Sequence, residues 1–467
     1  MSIRIAIRGL GALALLAALL MASAVQAEIK PHALFSDHVV LRTRDKIPVW
    51  GTTDSNEKIS VTLAGHTVSI LPADGNWRVD LVGAKVGGPY EMLIEQAGSS
   101  VRIRDVLIGE VWLCAGESLA TSVRQSEGAE EAISEADNPE IRFFTVARSK
   151  DRGEASDVSG RWQVCSRQSV ADVSAVAYYF GRDLQKARGV PIGLINLNVA
   201  DTPIEQWMSA TAIASTLGAT GQATVRPQSE LYNTMIAPLT AFRIRGVIWC
   251  QGKSNTARAF QYRDLLPALI NDWREAWKSE DLHFSIVQLA AYGEPEKEPR
   301  ESQAAELREA QLLTNRTVPF TGLAVTADLG DANVHPAKSA EIGSRLTQIA
   351  RVMSYREQLE SSGPLYEKLL IRGDTIVLRF QHAGTGLVAK GGKLAGFTIA
   401  GVDRKFYPAE AKIKNDTVIV HSDKVPQPVA VRYGWATWPV VNLFNQGGLP
   451  AIPFRTDAFL LTTQDKN

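Results

Sequence analysis

Val111-Trp112-Leu113-Cys114-Ala115-Gly116-Glu117-Ser118 is the stretch on which the reading of this chain turns. An apolar run too short for a helix ends in glycine, an acidic residue and serine. Such a run reads as a strand buried on both faces, which is the habit of a parallel sheet. A glycine directly after it permits a tight turn that leaves the serine hydroxyl at the strand's carboxyl end. The second glycine of a G-x-S-x-G elbow is missing, because Ala120 stands there. On its own, the Gly-x-Ser of this turn fits an ordinary turn serine as well as a nucleophile.

Working outward, further apolar runs follow at Ile192-Gly-Leu-Ile, Gly246-Val-Ile-Trp-Cys, Phe284-Ser-Ile-Val-Gln-Leu and Thr321-Gly-Leu-Ala-Val. Helical stretches separate them, at 175–187, 262–277, 304–313 and 340–352. Apolar strands alternating with helices predict an α/β domain over 107–355, with a parallel sheet covered on both faces. On either side the pattern changes to short alternating strands punctuated by turn pairs such as Asp74-Gly75 and Gly373-Asp374. These predict β-sandwich-type domains at 28–106 and 356–467.

The first residues carry Arg4 and Arg8, an apolar run from Leu10 to Met21, and the small-residue ending Val25-Gln26-Ala27. This pattern predicts a cleaved signal peptide over 1–27, and hence export, to the periplasm of a bacterium. No later stretch reads as a membrane span. The 467-residue chain balances 50 basic against 50 acidic residues, which argues against a nucleic-acid partner. Three cysteines, with no CxxC spacing, exclude the usual zinc patterns. An oxidising compartment permits one disulfide; we assign it to Cys114 and Cys165, leaving Cys250 free.

Reactive groups of such folds gather at the carboxyl ends of the parallel strands. There the sequence offers Ser118, with Gly116 before it, and His335 in the loop Asp328-Leu-Gly-Asp331-Ala-Asn333-Val-His335-Pro. A loop histidine among carboxylates suits a general base. Gln251-Gly252-Lys253-Ser254-Asn255, after the strand ending at Cys250, reads either as a source of oxyanion or substrate donors or as a helix-capping turn.

Several segments together resemble one family. They are Leu34-Phe-Ser-Asp-His-Val-Val-Leu, Ile108 through Ser118, Thr202-Pro-Ile-Glu-Gln-Trp-Met-Ser, Leu231-Tyr-Asn, Met235-Ile-Ala-Pro-Leu, Gly246-Val-Ile-Trp, and Asp328-Leu-Gly-Asp with His335-Pro336. In this order they are similar to the sialate O-acetylesterases, members of the SGNH hydrolases. The resemblance implies a flavodoxin-like hydrolase domain with β domains attached, and removal of O-acetyl groups from carbohydrate without a cofactor or metal. It also implies Ser118 as nucleophile, His335 as base, and Gly116, Ala200, Gln251 and Asn255 around the oxyanion and substrate.

Departures from the family pattern sit at the same place. The family's Gly-Gln-Ser-Asn is here Gly116-Glu117-Ser118-Leu119, and its glycine pair before Thr-Pro-Ile-Glu is Ala200-Asp201. Its Gln-Gly-Glu-Ser-Asn carries Lys253 in place of the glutamate, and Asn333 stands where many bacterial members have the aspartate two residues before the histidine. A carboxylate that orients the histidine is worth about four orders of magnitude in turnover in the serine proteases. Lys253 would further disfavour an imidazolium. Asp331, Asp328 and Glu117 are the acids left to serve, with Asp331 the first choice. Two functions follow from these residues: a working carbohydrate O-acetylesterase that tolerates the changes, or a catalytically impaired relative that binds acetylated glycans. A glycoside hydrolase would need a pair of flanking carboxylates that no spacing here reveals.

Overall fold

The computed structural model describes residues 27–42, 46–119, 121–149, 153–218, 229–296, 298–330, 332 and 338–465. Apart from Ala27, the expected signal peptide lies outside them. Six strands carry the centre of the molecule: β1 (Ser99–Gly116), β2 (Asn138–Thr145), β3 (Ile192–Asn198), β4 (Gly246–Cys250), β5 (His283–Val287) and β6 (Thr321–Ala324). They lie side by side in the order β2-β3-β1-β4-β5-β6, all parallel over the paired stretches. A short antiparallel strand, Trp162–Cys165, edges β2. The expected parallel α/β architecture is therefore present.

Alternation along β1 shows why these residues make a doubly covered sheet. Val111, Leu113 and Ala115 enter one core, with side chains of helices α2 (Ala259–Trp277) and α3 (Gln303–Thr317). Trp112 and Cys114 enter another, with helices α1 (Ala175–Arg188) and α4 (Ser339–Tyr355). Successive strand residues point to opposite faces, so a strand apolar at every position needs helices on both. Local signals fix the ends of α1: Ser174 caps its first turn by accepting from Ala177 N, and Gly189 ends it in the left-handed conformation at φ +62°.

The expected boundary at residue 106 falls inside a strand. β1 runs unbroken from Ser99 to Gly116. Its first half pairs antiparallel with Gly87–Gln96, and its second half lies between β3 and β4. Val40–Arg42 adds a parallel partner at Leu107–Gly109. The N-terminal strands thus continue the central sheet, and their apolar residues Val49, Val61 and Ile94 belong to the same core as Leu113 and Trp249.

The C-terminal region is a sandwich. The sheet of Leu365–Arg372, Thr375–Gln381, Thr417–His421 and Glu410–Lys414 faces that of Phe406–Pro408, Phe397–Ala400, Ala430–Tyr433 and Phe454–Arg455. Between them Ile376, Leu378, Val418 and Val420 meet Phe397, Ile399, Val431 and Tyr433.

The assigned disulfide is absent: Cys114, Cys165 and Cys250 are all free and buried. Cys114 lies on β1, whereas Cys165 ends the edge strand beyond β2 and β3. Three strand spacings, about 14 Å, separate the two strands, twice the reach of a disulfide between Cα atoms. Cys165 instead donates its thiol to Ala136 O at 2.9 Å.

Candidate active site

The chain reverses its direction of travel across the sheet at β1, with β3 on one side and β4 on the other. Crevices at the carboxyl ends of such switch points are where ligands bind, and the Gly116-Glu117-Ser118 turn stands there. Two backbone bonds hold it. Ser118 N donates to Cys250 O at 3.1 Å, and Val199 N donates to Gly116 O at 3.2 Å. Gly116 has φ +138°, and a Cβ there would lie 2.1 Å from Cys250 O, so only glycine fits. Glu117 and Leu119 on either side are buried, while Ser118 is half-exposed. The turn therefore presents the serine and hides its neighbours.

Beside Ser118 lies a small cavity of about 20 Å³, walled by Leu119, Val176, Cys250, Val287 and Ile342. That is room for about one water molecule, so a sugar must bind outside it. Leu119 is a core residue here, packed with α1 and α4.

Glu117 makes the largest departure from sequence expectation. Its carboxylate accepts from Gly252 N at 2.9 Å, from Ser254 N at 3.1 Å and from the Ser254 hydroxyl. It thereby ties the Gly116–Ser118 turn to the turn after β4, gripping the backbone on both sides of Lys253. The negative charge that the resemblance expects at residue 253 reaches this turn from residue 117.

Gln251, which lines the cavity, and Asn255 both brace the neighbouring loop. Asn255 is fully buried; its Oδ1 accepts from Ile204 N at 2.9 Å and Gln251 Nε2 at 2.8 Å, and its Nδ2 donates to Glu205 at 3.1 Å. Gln251 also donates to Thr202 O at 3.2 Å and accepts from Tyr262 at 2.8 Å. The expected donors to substrate thus hold the 202–205 segment in place. Glu205, itself fully buried, is neutralised by Arg258. Ala200 is exposed at the end of this loop, and its N–H finds no acceptor among the described residues. Asp201 next to it holds φ +54°, a left-handed conformation that suits the glycine it replaces.

His335, Asp331 and Asn333 lie outside the described residues. Of the two other acids considered for His335, Asp328 is held by Arg345 in a two-pronged pair at 2.7 and 2.6 Å. Glu117 is engaged as described. Both are thus already neutralised or fully hydrogen-bonded within the described residues.

Two residues that the sequence did not single out shape the crevice from afar. Arg308 of α3 is fully buried and donates to four carbonyls: Leu289 and Ala290, which line the cavity, and Ala436 and Thr437 of the C-terminal region. Trp438 lays its indole on Gly330, where a Cβ would come within 2.3 Å of Nε1. Both contacts join segments more than a hundred residues apart, so no local pattern announces them.

Residues 109–351, over half of the chain, match the family model described as carbohydrate esterase, sialic acid-specific acetylesterase. The chain belongs to this family. It is also 36% identical to a carbohydrate acetylesterase from Xanthomonas citri of known crystal structure, covering 92% of this chain and all of that one, with a TM-score of 0.86. Sialate O-acetylesterases of Pongo abelii and Homo sapiens are 29% and 28% identical, each over 87% of this chain and 88% of theirs. The chain is accordingly a carboxylic ester hydrolase acting on acetylated carbohydrate.

Proposed function

We propose that this esterase removes O-acetyl groups from sugars such as sialic acids, with Ser118 as nucleophile, His335 as base and Asp331 as the acid behind it. The observation that carries the reading is the Gly116–Ser118 turn, which exposes one hydroxyl at the switch point of the sheet. Ser118 Oγ attacks the acetyl carbonyl while His335 takes its proton. The oxyanion forms at the crevice end of β3, where the Ala200 N–H has no acceptor among the described residues. Collapse returns the proton to the leaving sugar oxygen and leaves an acetyl-serine, which water then hydrolyses by the same proton relay. The leader pattern at 1–27 adds export to the periplasm, testable by N-terminal sequencing of the mature chain.

One observation favours the weaker, glycan-binding alternative. The Ser118 N–H, the nearest backbone donor to the reaction, already bonds Cys250 O. Hydrolysis of a 9-O-acetylated sialic acid by wild type and Ser118→Ala decides between them. The esterase reading expects turnover that falls by at least ~10³-fold in the variant. Turnover that survives Ser118→Ala removes the assigned nucleophile. Binding of the acetylated sugar with no turnover in wild type gives the place to the binding protein.

A further inference from the structure

The outer face of the C-terminal sandwich gathers cations, although the chain as a whole carries no net charge. Strand register sorts it into rows. Leu370, Val377 and Ile419 stand directly across from one another on three adjacent strands, and Lys412 completes the row. The neighbouring row reads Lys368, Arg379, Thr417, Lys414. Because Ile376, Leu378, Val418 and Val420 fill the core, these alternate residues face out. All of them but Lys412 line a shallow groove of about 540 Å³.

Lys368, Arg372, Arg379, Lys412 and Lys414 are all exposed, and none has an ion-pair partner among the described residues. The acidic groups of this region are Glu367, exposed at the bulge beside Lys368, and Asp416, in the turn that lines the groove, with Glu410 paired to Lys393 at 2.9 Å and Asp374 to His421 at 3.3 Å. Lys368 directly opposite Arg379 is a like-charged cross-strand pair, an arrangement that costs the free sheet stability. Leu370, 52% exposed, adds an apolar surface beside it. A chain whose charges otherwise cancel has thus gathered cations around an apolar strip.

We propose that this face is a second carbohydrate site, which holds a carboxylated and acetylated glycan chain while the crevice acts on another of its residues. Carboxylates meet the Lys368, Arg379 and Lys414 row, and acetyl methyls lie along Leu370, Val377 and Ile419. Adjacent rows are roughly 7 Å apart along the strands, within the span of one sugar residue and its substituents. The choice of a glycan as the anion rests on the esterase reading above; the anionic character rests on the face alone.

The test titrates the full chain carrying Ser118→Ala, so that the probe stays intact, with an O-acetylated α2,8-linked sialic acid oligomer. We expect saturable binding that weakens with added salt and falls at least tenfold in Lys368→Glu/Arg379→Glu/Lys414→Glu. Leu370→Ser should weaken the acetylated oligomer more than its de-acetylated form, and neutral dextran should not bind. Unchanged binding in the triple variant overturns the proposal. So does binding of phosphatidylglycerol vesicles through these cations without binding of the oligomer. Turnover of a small chromogenic acetyl ester, measured with Ser118 intact, should be the same with and without the triple change. Absent turnover in the wild type would remove the esterase reading and leave the site standing, whereas lost binding with turnover retained would remove the site alone.

Discussion

Glu117 and Lys253 stand where their family has a neutral glutamine and a glutamate, and the structure shows why the two changes are tolerated together. The Glu117 carboxylate accepts from the backbone on both sides of Lys253, so a glutamate at 253 would bring a second carboxylate to the same turn. Lys253→Glu alone should therefore cost about 1–2 kcal/mol of stability, from like charges a few ångströms apart at the protein surface. Combined with Glu117→Gln, which keeps an acceptor for the two N–H groups, the loss should largely vanish. Denaturant melts of the two single variants and the double form a cycle, and strictly additive effects would show that the positions do not communicate. Asp201 offers a simpler case. It occupies φ +54° with an exposed side chain, so Asp201→Gly should raise stability by about 0.5–1 kcal/mol; an unchanged or lowered midpoint would mean that the aspartate holds the turn in some other way.

At the scale of elements, the sequence was a good guide to what lies along one strand and a poor one to what lies between strands. Unbroken apolar runs identified β1, β3, β4 and β5, because a strand buried on both faces has no polar alternation to confuse it. The Gly-x-Ser turn was legible for the same local reason. The supporting roles of Gln251 and Asn255 were not, since the Ile204 N and Thr202 O groups that engage them arrive from a distant loop. The Cys114–Cys165 assignment failed because strand order is invisible to spacing. Strand order makes a firm statement about the thiols. Burial pushes Cys165 and Cys250 up to about 12 and Cys114 above its ordinary value, so no thiolate forms near neutrality. We expect an alkylating reagent to leave the folded chain unlabelled and to label three thiols after denaturation without reductant. Recovery of a bridged peptide would refute this. Arg308 binds two elements at once: its loss would strand four buried carbonyls between the crevice and the C-terminal region. Arg308→Met should cost at least ~3 kcal/mol and lower turnover with it, and a variant as stable as wild type would show that the clamp is dispensable.

For the molecule as a whole, the sheet that unites the N-terminal strands with the hydrolase core also sets its response to acid. His283 opens β5, one strand in from the β6 edge of that sheet, fully enclosed, with its ring edge toward Trp112 at 5.8 Å and a nitrogen 2.7 Å from Ser285 Oγ. Burial, with a smaller contribution from Arg274, lowers its pKa to about 3. His32, beneath the N-terminal strands, is also lowered by burial although Asp157 opposes the shift. A histidine depressed in the folded state binds its proton more readily when unfolded. Its neutral form is therefore no handicap above the ordinary value near 6.5, and stability is lost as pH falls below that value, until the folded pKa is reached. Each such group contributes a slope of about 1.4 kcal/mol per pH unit. Between pH 6.5 and 5 most carboxylates are still ionised, so histidines dominate the slope there. We expect the unfolding free energy to fall steadily across this window, with His283→Gln, which stays neutral, removing about 1.4 kcal/mol per unit of that slope. The measurement is a set of denaturant melts at half-unit steps of pH. A variant that retains the full wild-type slope would mean that His283 takes up a proton without unfolding the sheet around it, and the acid response would then have to be sought at His32 and the surface.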